Sequence, residues 1–379
     1  QLRQNAAQIL ERLECPVPVD VPVVNLPRGD QAMISIARAF AEEASIYVMD
    51  EPTASLTEQE VHNLFRVIHL LKSQGKTVLY VSHRLEEIFE IADRVTVMRN
   101  GAVVGAYNTG EIDRAELIRL MIGRTISETE SALKPTVGES LLSVSNLRGG
   151  RVRGVSFTLR AGQIRGLAGL AGAGRTDVVR MIFGVDPIRS GTLQLKGRTF
   201  RPKSPADAIR QGIVLVPEDR HSQGLVLSRS VVENITLPYL SALATAGVFV
   251  DRNRERKASQ EAGQAVLLKA SSLEQKVSQL SGGNQQKVVF ARWLIDHAQI
   301  LLLDEPTIGV DVGARFEIYR LIRELAGRGT GVILVSSDLT ELLSLADRLI
   351  VMREGEMIAE LENVGVSQET ILSYCYGER

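Results

Sequence analysis

Short apolar runs alternate along this chain with longer segments whose apolar positions recur every three or four residues. Ile46–Met49, Thr77–Val81, Leu141–Val144, Val155–Leu159, Ile164–Leu167, Gly191–Leu195 and Ile213–Val216 are of the first kind and predict strands. Val95–Met98 and Ala102–Ala106 flank Asn100-Gly101, a hairpin signal. Helical spacing is clear in Gln1–Leu13 (Ala6, Ile9, Leu10, Leu13), Gln31–Glu43 (Met33, Ile36, Ala37, Phe40) and Glu58–Gln74 (Val61, Leu64, Phe65, Ile68, Leu71). Arg84–Ala92 and Arg175–Phe183 predict shorter helices, and Asp251–Leu268 a long polar one. Cys15–Pro27, with its prolines, reads as loop, and polar, aperiodic Ser127–Glu139 as a linker. Strands alternating with helices predict an α/β fold built on a mainly parallel sheet covered on both faces.

The pattern repeats. Asp50-Glu51-Pro52-Thr53 returns as Asp304-Glu305-Pro306-Thr307, Ala92-Asp93-Arg94 as Ala346-Asp347-Arg348, and Leu26 as Leu280, at one offset of 254 residues (304 − 50). The ungapped match from Leu26–Gly101 to Leu280–Gly355 implies one folding unit used twice. The expected division is 1–125 as the later part of a first unit, 126–139 as linker and 140–379 as a second unit. The counterpart of the glycine-rich segment at Gly169 would lie before Gln1, so the expectation is a piece of a longer chain with an incomplete first copy.

Composition narrows the class little. The length of 379 residues suits about two to three domains. Lys plus Arg (44) balances Asp plus Glu (45), which leaves no electrostatic footprint for nucleic acid. No apolar run approaches the roughly 18 residues of a spanning helix. Cys15 and Cys375 form no metal-ligand spacing and read as reduced thiols.

Three motifs carry chemistry. Gly169-Leu170-Ala171-Gly172-Ala173-Gly174-Arg175-Thr176 has P-loop spacing between a predicted strand and a predicted helix. Its glycines let backbone N–H groups turn toward phosphate oxygens, and Thr176 can ligate Mg²⁺. The usual lysine is Arg175, whose planar guanidinium does not simply replace an ammonium. Ile300–Leu303 and Ile46–Met49 each deliver an aspartate and a glutamate, Asp304-Glu305 and Asp50-Glu51, to a sheet edge. There the aspartate can hold Mg²⁺ through water and the glutamate can polarise an attacking water. Leu280-Ser281-Gly282-Gly283-Asn284-Gln285-Gln286 opens a helix, where Ser281 either caps the helix or, with Gly283, offers donors to a phosphate.

In this order the motifs resemble ATP-binding cassette proteins. LSGGNQQK (280–287), GLAGLAGAGRT (166–176) and VPEDR (216–220) look like the double-cassette ATPase subunits of bacterial sugar importers, such as the ribose, galactose, xylose and autoinducer-2 systems. The resemblance implies a P-loop NTPase-like cassette in two tandem copies with the first incomplete, and a helical subdomain at about 225–280. It implies ATP and Mg²⁺ as ligands, and two integral membrane permeases with an extracytoplasmic sugar-binding protein as partners. It places the chain at the inner face of the cell membrane. Cassettes in this family pair head to tail, so each ATP lies between one P-loop and the other copy's signature. By position Glu51 and Glu305 would be hydrolytic bases and His83 would contact the γ-phosphate. Gly169, Gly172, Ala173, Gly174, Arg175, Thr176 and Glu218 would bind one nucleotide, and Ser281, Gly282, Gly283 and Gln285 the other. Thr176, Asp304 and Asp50 would serve Mg²⁺.

The copies are not equivalent under this reading. The position matching His83 is Ser337, Glu218 stands where glutamine is usual, and Pro27 replaces the signature serine opposite Arg175. The 169–176 site is therefore expected to bind nucleotide and hydrolyse it poorly. No aromatic lies between Leu141 and Ser156 to stack on adenine, so either Arg148 or Arg151 takes that task or adenine is loosely held. Two other functions stay open: a nucleotide-binding scaffold without turnover, and a soluble tandem cassette acting on ribosomes or DNA. The short, mildly charged linker and balanced charge disfavour the last.

Overall fold

The computed structural model describes residues 2–13, 17–42, 44–53, 56, 58–82, 84–99, 101–122, 138–245, 249–296 and 298–377. The chain divides into two compact units, Gln1–Glu128 and Thr129–Arg379. His83, Cys15, Asn100 and nearly all of the expected linker lie outside the described residues.

The first unit runs α1 (Leu2–Arg12), α2 (Arg28–Ala41), β1 (Ile46–Asp50), α3 (Glu58–Ser73), β2 (Thr77–Val81), α4 (Leu85–Ile91), β3 (Arg94–Arg99), β4 (Ala102–Asn108) and α5 (Arg114–Ile122). β1 and β2 pair in parallel, and β3 and β4 form the expected hairpin. The core gathers Met33, Ile36, Phe40, Leu64, Phe65, Ile68 and Leu71, the apolar stripes of α2 and α3. Tyr47 and Met49 of β1 enter that core, whereas Ile46 and Val48 on the other face are exposed, as are Leu79 and Val81 of β2.

The second unit runs β5 (Ser140–Gly149), β6 (Val152–Arg160), β7 (Ile164–Gly169), α6 (Arg175–Phe183), β8 (Ser190–Leu195), β9 (Arg198–Phe200), α7 (Pro205–Arg210) and β10 (Ile213–Val216). Then follow α8 (Val231–Thr236), α9 (Leu240–Leu243), β11 (Ala244–Thr245), β12 (Phe249–Val250), α10 (Arg252–Ala265) and α11 (Gly282–Arg292). It closes with β13 (Ile300–Asp304), α12 (Val312–Gly327), β14 (Gly331–Val335), α13 (Leu339–Leu345), β15 (Arg348–Arg353), β16 (Glu356–Glu362) and α14 (Gln368–Tyr376). α11 starts at the counterpart of the first residue of α2. Every element from β13 onward has both bounds of an element of the first unit, shifted by the same offset. The register shifts with them: Ile46 pairs with Thr77, and Ile300 with Gly331. The repeat therefore reaches Ile122 and Tyr376, past the segment identified from identical residues.

Ten strands form one sheet in the order β10-β13-β14-β7-β15-β16-β6-β5-β8-β9. The five strands from β10 to β15 are parallel and buried on both faces. Leu301, Leu303, Val332 and Leu334 point to one core and Ile300, Leu302, Ile333 and Val335 to the other. The other half is mixed: β16 pairs antiparallel with β15 and parallel with β6, and β6, β5, β8 and β9 pair antiparallel in turn, so parallel pairs only narrowly outnumber antiparallel ones. The cause is local. β5 turns into β6 over Gly149-Gly150-Arg151, with Gly150 at positive φ, and β8 turns into β9 over Lys196-Gly197, both at positive φ. Turns this tight join only antiparallel neighbours. The predicted strand Val155–Leu159 thereby lengthens to Val152–Arg160.

Candidate active site

β7 ends at Gly169, whose φ of 157° brings the backbone so close to Met352 that a Cβ would lie 2.5 Å from its carbonyl oxygen. The loop then turns through Gly172 and Gly174, at φ 82° and 90°, into α6. Ala173 is buried and locks the loop, its N–H donating to the Leu170 carbonyl and its own carbonyl accepting from Gly355 N–H. Gly174 caps α6 without a side-chain hydrogen bond. First-turn N–H groups of a helix have no partner within it, so this N-terminus is a cradle for an anion.

The side chains that follow meet the ends of β13 and β14. Thr176 Oγ1 donates to Asp304 Oδ1 at 3.0 Å. Arg175 donates through Nη1 to the Ser336 carbonyl and lies 3.9 Å from Glu305 through Nη2. Ser337, the position matching His83, donates its hydroxyl to Glu305 Oε2 at 3.1 Å. Glu218, two residues beyond β10, adds its charge to that of both acids. Burial, with the repulsion from Glu218 and Glu305 behind it, pushes the Asp304 carboxyl up to about 6, although the Thr176 hydrogen bond opposes the rise. Burial raises Glu305 as well.

The acids sit on strained backbone. Glu305 has a φ of 48° and Glu51 a φ of 45°, a region that side-chain-bearing residues enter seldom. In both units the glutamate N–H donates at 2.9 Å to the last residue of the neighbouring strand, Val335 or Val81. Asp50 and Glu51 thus end β1 as Asp304 and Glu305 end β13.

The signature segment lies at the start of α11. Ser281 precedes the helix, is exposed and makes no capping bond with its side chain; its hydroxyl accepts from Asn284 Nδ2 at 2.9 Å. Gly283 packs so closely on α12 that a Cβ would lie 2.5 Å from that of Ala314. Gly282 is beside the Gly309 carbonyl and the Arg220 guanidinium, which donates to the Ile308 and Gly309 carbonyls. Gln285 is turned inward, donating to the Val277 carbonyl and bonding His221 through its oxygen at 2.9 Å. In the first unit α2 begins at the matching place, after Pro27, which brings no side-chain cap.

Residues the motifs did not single out complete the surroundings. Arg151 is in contact range of Gly172 and borders a cavity of about 700 Å³ with Arg148, Arg153 and Arg189. Glu354 and Glu356 line the same hollow, which lies beside the glycine-rich loop. Among the described residues no group of three or more acids, histidines or cysteines is arranged to hold a metal by itself. Mg²⁺ asks for less, since one hydroxyl and one carboxylate suffice when phosphate oxygens and water fill the remaining positions, and Thr176 with Asp304 is such a pair.

The ABC transporter family profile matches residues 152–308. The chain is 46% identical over 378 residues to the ribose import ATP-binding protein RbsA of Geobacillus kaustophilus, covering 100% of this chain and 76% of that protein. It is 46% identical over 376 residues to ribose import ATP-binding protein RbsA 3 of Rubrobacter xylanophilus, covering 99% and 75%. Among solved structures, the dimeric structure of a bacterial ABC transporter cassette superposes with a TM-score of 0.52 at 21% identity, covering 60% of this chain and 100% of that one. A nucleotide-free ATP-binding cassette from an ABC transporter does so at 0.52 and 24%, covering 63% and 96%. Such identities establish the cassette fold for the part covered. At the identity and coverage of the sequence relatives, the chain belongs to the ABC transporter family, in the same group of ATP-binding proteins as these ribose-import relatives.

Proposed function

We propose that the chain is the ATP-hydrolysing, energy-coupling subunit of a carbohydrate importer of the ribose type. It would work at the cytoplasmic face of the membrane with two permease subunits and, through them, an extracytoplasmic sugar-binding protein. No described helix is long and apolar enough to cross a membrane, so the permeases would supply the passage. The observation that carries the reading is the convergence of Arg175, Thr176, Asp304 and Glu305 where β7, β13 and β14 end, in a chain of this family.

The roles follow from the donors. N–H groups of Gly169, Gly172 and Gly174 face the phosphates of ATP with Arg175, while Ala173, whose N–H is taken by the Leu170 carbonyl, holds the loop in shape. Thr176 and Asp304, and Asp50 in the first unit, hold Mg²⁺, which when bound neutralises phosphate charge. Glu305 and Glu51 orient the attacking water, with Glu218 near the first of them. Ser281, Gly282 and Gly283 complete a site on a second cassette, Gln285 supporting them from within, and His83 faces the γ-phosphate there. Tandem pairing is supported by the repeated element bounds.

One observation favours slow turnover at the 169–176 site: its cation is engaged by the Ser336 carbonyl and Glu305, and its switch position is a serine. The test is membrane recruitment and ribose uptake in cells with and without the permeases, alongside Mg²⁺-dependent ATP turnover. Recruitment and uptake that require both the chain and the permeases are expected. A protein that stays off the membrane in both cells defeats the proposal.

A further inference from the structure

Behind the acid-tipped strands lies a second carboxyl that the chemistry above does not use. Glu341 on α13 is 1% exposed. Its Oε1 accepts from the Thr307 hydroxyl at 2.8 Å, and its backbone N–H donates at 3.2 Å to Asp338, in the loop after β14, whose carbonyl in turn accepts from the Ser336 hydroxyl. Thr307 stands two residues beyond Glu305. Ser336 precedes Ser337, which donates to Glu305, and the Ser336 carbonyl accepts from Arg175. Glu341 thus ties the loop after β13 to the loop after β14, the first through its side chain and the second through its backbone.

The first unit repeats the arrangement. Glu87 on α4 is 4% exposed and accepts from Thr53 at 2.7 Å, Ser82 at 2.8 Å and Tyr80 at 2.8 Å. Thr53, Ser82 and Glu87 are the counterparts of Thr307, Ser336 and Glu341. The tyrosines are not counterparts. Tyr80 stands on β2, where the second unit has Leu334, and Tyr319, which the Glu341 charge reaches, stands on α12, where the first unit has Phe65. The threonine bond is common to both carboxyls, and in the first unit a serine and a tyrosine hydroxyl join it. Packing alone calls for none of this, since an apolar side chain of like volume is no worse for stability than a buried acid.

The loops need an anchor. Glu305 and Glu51 lie in left-handed backbone, a conformation unfavourable for residues with side chains, and persist only if the surroundings hold them. We propose that Glu341 and Glu87 are positioning residues for ATP turnover, each tying the loop that bears the water-orienting glutamate to the loop that bears Ser337 or, in the first unit, Ser82, so that the two move as one body. This deepens the ATPase reading and rests on it.

The experiment uses the full chain with Thr53→Val and Thr307→Val, singly and together, which remove the hydroxyl at constant shape. Thr→Ser at both positions and Glu341→Gln accompany them. Hydrogen exchange without nucleotide is read in residues 305–310 and 336–341, and in 51–56 and 82–87, against α10 as reference. ATP turnover is read as kcat and KM. In Thr307→Val and Glu341→Gln both loops of the second unit should exchange faster together, with α10 unchanged, and Thr53→Val should do the same in the first unit. The double valine variant should lose about tenfold to a hundredfold in kcat with KM within about twofold, and the serine variants should recover it. Unchanged exchange, loops that loosen independently, or a double variant that keeps kcat would each overturn the proposal. A wild-type chain without turnover would count against the ATPase reading, while the exchange data would still decide whether the anchor exists.

Discussion

Replacing Asp304 by asparagine should stabilise the second unit while ending its use of Mg²⁺. The amide keeps an oxygen for the Thr176 hydroxyl and removes a buried negative charge beside Glu218 and Glu305. A carboxyl held at about 6 instead of its usual 3.8 is ionised in the fold at a cost of about 3 kcal/mol at neutral pH. The sign follows from proton counting. Between roughly pH 4 and 6 the folded chain holds this proton and the unfolded chain releases it, so stability falls as pH rises through that window and is flat above it. The asparagine variant has no such loss. Its advantage should be about 3 kcal/mol at pH 7.5, a figure that already includes the attraction to Arg175, and should contract to about 1 kcal/mol at pH 4.5. The single tryptophan, Trp293, donates from Nε1 to the Leu215 carbonyl at 2.9 Å within the second unit and reports its unfolding. In urea with EDTA present, the Trp293 transition of Asp304→Asn should shift upward by about 1 M at pH 7.5. A midpoint equal to or below wild type, or a gap that is the same at both pH values, would refute the electrostatic account.

Two further outcomes are expected. Arg175→Lys withdraws the guanidinium from the Ser336 carbonyl and Glu305, and single-turnover hydrolysis at the 169–176 site should rise about tenfold, read by quench-flow with the Pro27 half unchanged. Gly283→Ala places a methyl 2.5 Å from Ala314 Cβ, and the Trp293 transition should report a loss of about 1–3 kcal/mol.

Much of the site could be read before the fold was known because its residues are contiguous. The P-loop needs a strand, a run of glycines and a helix in sequence, and β7, Gly169–Gly174 and α6 provide them. The acid-tipped strands announced themselves twice. Side chains that act across the sequence were hidden. Glu341 meets Thr307 from 34 residues away, and in a short amphipathic helix it reads as a solvated charge. The antiparallel pairing in the sheet was underestimated for a similar reason, since pairing direction depends on turn conformation at Gly150 and Gly197 and not on strand hydrophobicity. The helix α8 carried a legible signal, the Ser230 and Glu233 capping box. The inward turn of Gln285 had none, because only the approach of His221 and Val277 decides it.

The exchanged tyrosines limit how the halves can be recombined. A chimera that took β14 in place of β2 would bring Leu334 where Tyr80 stood and leave Glu87 one hydroxyl short, because α3 contributes only Phe65. The reverse graft would crowd two phenols onto Glu341. A working hybrid must therefore take the strand and its preceding helix from the same unit.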